Sequence, residues 1–327
     1  MPRSCIILFM KKFISLNLSL ILLLLCGCTD TQENKDTQFL LDTVVTLTAD
    51  CDTEVLNGAF ELCRNYEKML SRTIVGSDVY ALNNSDGFIE VNEHTANIVK
   101  QAVYYGDLSG GRFDITIYPV SSLWDWNNQT IPSRDEIAEA LKNVDYQSIQ
   151  INGNSINLNG KKIDLGGIAK GYIADRTLEY FKQKGVSEGI IDLGGNVVVF
   201  GDREYTVGIK KPFSNGELAT TVKLKNKTAV TSGVYERYIP ADIMLYHHIL
   251  DPKTGYACET DLLSATIIAN SSMQADALST ICILLGVDKA KELIENIPDT
   301  EAIFIDSDQI LHYSSGLTVG KGEFTLN

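Results

Sequence analysis

The sequence predicts an α+β fold, in which short strands and amphipathic helices both occur along a chain of 327 residues. Three observations support this class. Phe39 to Thr48 (FLLDTVVTLT) is rich in β-branched residues and is typical of a strand. Thr53 to Leu70 carries apolar residues at helical spacing, as expected of a helix that packs on a sheet. Gly189 to Phe200 (GIIDLGGNVVVF) indicates a hairpin of apolar strands. These patterns define elements but not the order of the strands.

The first 27 residues have the pattern of a secretory signal and are predicted to lie outside the fold. Arg3, Lys11 and Lys12 precede an uncharged apolar run from Ile14 to Leu25. The run ends in Leu-Cys-Gly-Cys, which resembles a bacterial lipoprotein signal with Cys28 as the lipidated N-terminus. A single membrane-spanning anchor is the alternative, but the run is short for a span of about 20 apolar residues. We therefore expect an exported lipoprotein at the periplasmic or outer face of the cell membrane.

The charge and length limit what the exported part can be. Removal of residues 1–27 leaves 25 basic and 42 acidic residues, a formal charge of −17, so nucleic acid is not an expected partner. The polar residues 28–38 indicate a tether, and residues 39–327 suffice for one large domain. The remaining cysteines show no Cys-x-x-Cys spacing, so buried free thiols and disulfides both remain open. These cysteines are Cys51, Cys63, Cys258 and Cys282.

Capping residues and periodicity predict the other elements in chain order. A Ser-Asp pair starts a helix within LSRTIVGSDVYALN, and Asn92 starts another that runs to Leu108. Ser133 and Glu136 match a capping box and open a helix to about Asn143. The remaining predictions are strands over Tyr205–Ile209, Ala219–Leu224, Ala229–Ser232, Glu301–Ile305 and Gln309–Tyr313, and helices over Ser271–Leu285 and Asp288–Glu295.

The stretch from Ile163 to Asp175 (IDLGGIAKGYIAD) has the features of an anion-binding turn. It predicts a strand end, a turn at Gly166 and Gly167, and a helix that carries Lys170. Glycines without a Cβ allow close approach of a ligand, and a helix N-terminus attracts a phosphate. Taken alone, however, such a pattern is more often an ordinary strand-to-helix connection.

Two further patterns carry side chains that could act in a site. Asp276 and Thr280 lie four residues apart on a predicted helix, so they share a face and could hold one hard cation. The alternative is structural, because the helix dipole favours an early Asp and a helical Thr often bonds to its own backbone. His247 and His248 are adjacent on a predicted strand and point to opposite faces, so at most one belongs to a given site.

Seven segments together resemble a known family. In chain order they are LSRTIVGSDVYALN, GGRFDIT, IDLGGIAKGYIAD, IDLGGN, TSGVYER, HHILDPKTG and ADALSTICILLG. Their order and spacing resemble the flavin transferase (ApbE) family, the FAD:protein FMN transferases, over essentially the whole chain after residue 38. The resemblance implies an ApbE-like α+β fold with mixed sheets, helices packed outside and a nucleotide bound between two halves.

The resemblance also implies an activity. Members of the family split FAD at its pyrophosphate and pass FMN to a threonine, or sometimes serine, hydroxyl of an acceptor flavoprotein, with release of AMP. The implied cofactor is Mg²⁺, and FAD is the substrate. The expected partners are acceptor flavoproteins with a threonine or serine motif and, through the lipid anchor, a membrane. The alternatives are an FAD pyrophosphatase and a flavin-binding lipoprotein that transfers nothing to protein.

Matching positions assign roles to individual residues. The resemblance implies Mg²⁺ ligands at Asp276, Thr280 and Ser279 and at the carbonyl of Gly167, and such oxygen ligands suit magnesium better than zinc or copper. It implies catalytic roles for Asp276 and for His248, which would be the general base. The alternative for His248 is an interior histidine that ties a turn to the sheet.

The same matching implies residues that contact FAD. Arg237 and Tyr235 are additional candidates for substrate contacts. Two positions depart from the family pattern: the Leu-Asp-Thr at 41–43 stands where many members have Met-Gly-Thr, and Lys170 stands where other members carry glutamate. The implied contacts are Leu41, Ser71, Asp114, Lys170, Thr231, Ser232 and Thr254.

Overall fold

The computed structural model describes residues 33–241 and 245–327. Glu33–Asn327 forms one compact unit. The predicted signal, including Cys28, lies outside the described residues. Within the part that is described, no helix combines the length and the apolar character that a membrane-spanning helix needs.

The elements are numbered in chain order. The strands are β1 Glu33–Leu40, β2 Thr43–Asp50, β3 Ile89–Glu90, β4 Gln150–Asn152, β5 Ser155–Asn157, β6 Gly189–Leu193, β7 Asn196–Phe200, β8 Tyr205–Lys210, β9 Leu218–Leu224, β10 Lys227–Gly233, β11 Tyr238–Pro240, β12 Leu245–His247, β13 Leu262–Ala269, β14 Glu301–Asp306, β15 Leu311–Tyr313, β16 Leu317–Gly320 and β17 Glu323–Leu326. The helices are α1 Thr53–Leu70, α2 Asp78–Asn83, α3 Glu93–Leu108, α4 Tyr118–Ser121, α5 Arg134–Leu141, α6 Ala169–Gln183, α7 Ser272–Leu285 and α8 Val287–Glu295, with 3₁₀ turns at Ile115–Ile117 and Tyr146–Ser148.

An eight-stranded antiparallel sheet in the order β1-β2-β6-β7-β10-β13-β14-β15 forms the centre of the fold. Helices α6 and α7 pack against one face of this sheet. The other face packs on a four-stranded sheet in the order β16-β17-β9-β8, where Val199 and Ile268 of the large sheet meet Phe324 of the small one. Strands β17 and β9 are parallel, so the α+β prediction of mixed sheets is confirmed. The helices cover one face only, because the small sheet buries the apolar side chains of the other.

Capping predictions agree closely with the structure. Helix α1 has the predicted bounds, and the Asn92 side chain caps α3 by accepting the N–H of His94 at 3.0 Å. Ser133 and Glu136 form the predicted capping box at the start of α5. The predicted hairpin between Gly189 and Phe200 is the β6–β7 pair. Helix caps are local interactions, so a few neighbouring residues suffice to define them.

The prediction of a single strand over Phe39–Thr48 is wrong, because the segment contains a hairpin turn. Strand β1 ends at Leu40, β2 begins at Thr43, and the two strands pair in antiparallel fashion. Strand β1 starts at Glu33, so the folded unit begins before residue 39 and includes part of the predicted tether. Most side chains of this edge strand are exposed. It therefore lacks the apolar alternation by which a strand is recognised.

Two further differences concern which segments form strands. The residues before Gly166 are not in a strand, although the helix that follows the glycines is present. Strands β16 and β17 were not predicted; they pair with each other, and β17 also pairs with β9, which is far away in the sequence. The four remaining cysteines are buried free thiols, which resolves the question that the sequence left open.

Candidate active site

The N-terminal turn of α6 meets the middle of α7 and the end of β10, and this meeting point holds most of the predicted metal ligands. Gly167 precedes α6 and lies so close to α7 that a Cβ added to it would be 3.7 Å from the Thr280 Oγ1. From β10, the Ser232 hydroxyl is 2.7 Å from that of Ser279 and 3.5 Å from that of Thr280. The structure thus brings together residues that are distant in the sequence.

Asp276 is the buried carboxylate at this point. Its Oδ2 accepts a hydrogen bond of 2.8 Å from the N–H of Gly171 in the first turn of α6. Burial raises the pKa of Asp276, and the charge of Lys170, the Gly171 N–H and the buried Asn196 amide oppose this rise. A bound cation would favour the ionised carboxylate in the same way as Lys170 does.

The hydroxyl groups around Asp276 differ in how strongly they are engaged. Ser279 donates to the Asp276 carbonyl at 2.8 Å, whereas Thr280 is 3.5 Å from the same carbonyl. The Thr280 hydroxyl therefore has the weaker local bond and is the easier of the two to recruit as a ligand. Within the described residues no group of three or more His, Cys, Asp or Glu is arranged for a metal. One carboxylate with hydroxyl and carbonyl oxygens fits Mg²⁺, which commonly takes its other ligands from water and phosphates.

A second carboxylate fixes α6 against α7. Asp175 of α6 accepts hydrogen bonds from the Ser271 hydroxyl at 2.7 Å and from the N–H groups of Ser272 and Met273 at 2.7 and 3.1 Å. It caps α7, while Asp276 of α7 accepts from α6. These reciprocal bonds hold Asp276 in a defined position relative to the glycine turn.

We expect Gly171→Ala to destabilise the fold, because the two helices touch at this glycine. An added Cβ would lie 2.2 Å from the carbonyl oxygen of Ser272 and 2.7 Å from the Cβ of Asp276. A backbone atom cannot move aside cheaply, so we expect a loss of about 3 kcal/mol in the free energy of unfolding, measured by urea denaturation. Gly320→Ala is the matched control, since a Cβ there meets nothing within 4 Å. Equal stability of the two variants would contradict the close helix contact.

The two adjacent histidines have different surroundings, as the sequence predicts, although only His247 lies in the strand. The buried His247 ends β12 and places its Nε2 3.1 Å from the carbonyl of Cys258, which is a structural contact. His248 follows the strand, donates its N–H to the Arg237 carbonyl at 3.1 Å, and has its Nδ1 3.4 Å from the same oxygen. A carbonyl only accepts, so Nδ1 carries the proton and Nε2 keeps a free lone pair.

The surroundings of His248 keep it uncharged. Burial, together with the neighbouring His247, Arg237 and Lys170, lowers the pKa of His248 to about 4, and the contact with the Arg237 carbonyl only partly offsets this. An imidazole with such a pKa is neutral across the physiological range and is able to accept a proton.

The turn at Leu41 is connected to the segment that contacts His248. Leu41 and Asp42 have φ of 55° and 58°, so both adopt the left-handed conformation of a type I′ turn. The Leu41 N–H donates to Glu67 at 2.9 Å, and the Asp42 carboxylate pairs with Arg237 at 2.7 Å. Strained turns of this kind persist where the surroundings hold them. Here an ion pair ties the turn to the residue whose carbonyl contacts His248.

Three of the predicted FAD contacts have local roles in this structure. The Ser71 hydroxyl accepts from the N–H groups of Thr73 and Ile74 at 3.2 Å. Asp114 accepts from the N–H and hydroxyl of Thr116 and from Tyr146. The exposed Thr254 accepts from the N–H of Tyr256 at 3.3 Å. Among the described residues, none of these three side chains hydrogen-bonds to the group around Asp276. Thr231 lies nearer, on β10, where its hydroxyl is 2.8 Å from that of Thr266.

Glu236 is a charged residue of the site that sequence reasoning missed. Its side chain is exposed, but partial desolvation by the surrounding protein raises its pKa. The charges of Lys170 and Lys210 oppose the rise, while the charge of Asp276 adds to it. The charges of Glu236 and Asp276 therefore interact, which places Glu236 near the buried carboxylate. A lone glutamate in a loop has no local signature, so only its position within TSGVYER could have drawn attention to it.

The sequence and the fold of the chain are similar to those of known proteins. Residues 41–304 match the model of the ApbE family. An FAD:protein FMN transferase of Treponema pallidum is 31% identical over 288 residues, which cover 80% of each chain. One from Klebsiella pneumoniae is 32% identical over 273 residues, covering 81% of this chain and 86% of the relative. The crystal structure of the ApbE protein of Thermotoga maritima superposes with a TM-score of 0.80 at 30% identity, over 87% of this chain and 97% of that protein.

Proposed function

The chain belongs to the ApbE family, and we propose that it is an Mg²⁺-dependent FAD:protein FMN transferase whose acceptor is a threonine or serine hydroxyl. The transfer of FMN from FAD follows from the relatives that carry this activity in their names. The observation that carries the proposal for this chain is the oxygen cluster of Asp276, Ser279 and Thr280 beside Gly167. The charge of Lys170 acts both on this cluster and on the neutral His248.

The chain's own residues would position the pyrophosphate of FAD. Asp276, Ser279, Thr280 and the Gly167 carbonyl would hold Mg²⁺, which supplies charge neutralisation at the phosphates when it is bound. Lys170, at the start of α6, adds a fixed positive charge beside the same carboxylate. The glycine turn before α6 permits close approach of a phosphate to backbone N–H groups. Phosphoryl transfer depends mainly on such positioning and electrostatics.

His248 would move the proton. Its Nε2 accepts the proton of the acceptor hydroxyl as that oxygen forms a bond to the phosphorus of the FMN half. The bond from this phosphorus to the bridging oxygen breaks, and AMP leaves with that oxygen. The Nδ1 contact with the Arg237 carbonyl fixes the tautomer that this step requires.

The direct test uses the full-length chain in detergent with FAD, Mg²⁺ and an acceptor domain that contains a threonine motif. We expect the intact mass of the acceptor to increase by one FMN less water, with one AMP released for each FMN attached. AMP and free FMN with an unmodified acceptor would instead identify an FAD pyrophosphatase. No AMP at all would leave a flavin-binding lipoprotein. Either of these results would overturn the transferase proposal.

The location is a separate part of the proposal and rests on the first 28 residues of the sequence. The lipoprotein-like signal supports export and anchoring at the periplasmic or outer face of the cell membrane, where acceptor flavoproteins would be met. We expect mass spectrometry of the N-terminal peptide to find a lipid on Cys28 of the wild type and none on the Cys28→Ser variant, since the lipid could no longer attach. A wild-type peptide with an unmodified Cys28 would contradict the lipid anchor.

A further inference from the structure

An exposed aromatic cluster lies on the rim of the site and has no part in the chemistry described above. The ring of Phe213 contacts the rings of Tyr235 and Tyr238 edge-on, with centroid distances of 5.9 and 5.7 Å. Phe213 is 49% exposed and Tyr238 is 39% exposed. We call these three residues the aromatic rim. Exposed aromatic groups of this kind are typical of protein-binding surfaces.

The aromatic rim is directly connected to the catalytic groups on both sides. The Tyr235 ring covers Gly233, where an added Cβ would lie 2.5 Å from the ring, and Gly233 follows the Ser232 that contacts Ser279. On the other side, Tyr238 pairs with His247 between β11 and β12. The residue before Tyr238 is Arg237, whose carbonyl contacts His248. A molecule seated on the aromatic rim therefore lies beside the proton acceptor.

The backbone at Phe213 indicates that the exposed ring is held in place. Its φ is 57°, a left-handed conformation that is unfavourable for an aromatic residue. The loop around it is closed by the Lys211 N–H donating to the Glu217 carbonyl at 2.8 Å and by the Ser214 hydroxyl donating to the Lys211 carbonyl at 2.8 Å. Strain at an exposed residue adds nothing to stability, and active sites, ligand clamps and switch regions are among the places where such residues cluster.

We propose that Phe213 and Tyr238, supported by Tyr235, form the docking surface for the acceptor protein, whose hydroxyl-bearing segment packs an apolar side chain against them. This inference rests on the proposed transferase function. In that reaction the acceptor is a macromolecule, so it has to approach from solvent over the rim nearest His248. The aromatic rim itself carries no charge, which suits an apolar side chain and avoids the repulsion that the acidic surface of this chain would exert on an acidic segment.

The test measures transfer at varied acceptor concentration, with the full-length chain, saturating FAD and Mg²⁺. The variants are Phe213→Asn and Tyr238→Ser; Asn tolerates a left-handed backbone, so the loop should persist. We expect KM for the acceptor to rise about tenfold in each, the loss typical of an aromatic anchor. KM for FAD and AMP release without acceptor should stay unchanged. Tyr313→Ser is the control, because Tyr313 is 38% exposed but lies on β15, three strands from β10.

The outcomes separate this proposal from the proposed function. If the wild-type chain modifies no acceptor, the transferase function itself fails. If the wild type modifies the acceptor and both variants keep its KM, only the docking surface is wrong. Parallel loss of FAD affinity would make the aromatic rim part of the FAD site and would also overturn the proposal. A changed sedimentation coefficient with unchanged acceptor KM would show that the surface joins copies of this chain instead.

Discussion

Asp276→Asn is expected to reduce kcat for FMN transfer by at least about 10³-fold while leaving the fold intact. The substitution removes the one carboxylate charge among the oxygens grouped around Thr280, and metal assistance is worth several kcal/mol of transition-state stabilisation. The asparagine Oδ1 can still accept the Gly171 N–H that Oδ2 accepts now at 2.8 Å. The measurement is steady-state transfer followed by AMP release.

The stability of this variant provides an independent readout. Because burial raises the pKa of Asp276, the folded state holds this proton more tightly than the unfolded state does. Ionisation at neutral pH therefore costs free energy of folding in the metal-free protein, and stability from this group falls as pH rises above its unfolded pKa. The Asn variant should match or exceed the wild-type Tm without Mg²⁺. Mg²⁺ should raise Tm in the wild type only.

A matched control is available on the next helix. Asp288 is exposed in the first turn of α8, so Asp288→Asn removes the same charge without touching the cluster. We expect normal activity and a normal Mg²⁺ response from it. Full activity in Asp276→Asn, or a Tm response to Mg²⁺ equal to that of the wild type, would remove Asp276 from the proposed metal site.

Local chemistry explains why some of the fold could be predicted from the sequence. Both ends of helix α1 were predicted correctly, because amphipathic spacing depends only on residues that are close together in the sequence. Strand β1 was not, because an exposed edge strand needs no apolar alternation. The parallel pairing of β17 with β9 depends on residues far apart in the chain, and no local pattern reports such a contact.

The residues of the site also differ in whether a local sequence pattern could predict them. Asp276 and Thr280 were predicted as a pair because they lie on one face of a helix. The fold brings Ser232 from a distant strand to this pair. No sequence pattern indicates Glu236, since the charges it interacts with include those of Lys170 and Asp276, which are distant in the sequence. Ser71, by contrast, was predicted as an FAD contact only from the family resemblance. Its hydroxyl caps backbone N–H groups, a role that any turn serine can have.

His248→Ala is expected to reduce kcat for FMN transfer by about 10²- to 10⁴-fold, the range for loss of a general base, with little change in Kd for FAD. The alternative, a histidine that only ties the turn to the strand, predicts instead a lower Tm and equal losses of binding and transfer. The measurements are kcat by acceptor mass and Kd by flavin fluorescence. His312→Ala is the control, because His312 lies on the distant strand β15, where it pairs with Asp306 at the end of β14.

The pH profile of the wild type gives the sharper test of His248 as the base. Burial lowers the pKa of His248 to about 4, so the imidazole stays neutral and able to accept a proton down to roughly that pH. The acidic limb of kcat/KM, which reports the base of the free enzyme, should fall near pH 4 to 5 rather than near the ordinary histidine value of about 6.5. His248→Ala should lose this limb together with its activity. An acidic limb near pH 6.5 that persists in the variant would assign the base to another group, and His248 would then be a structural residue like His247.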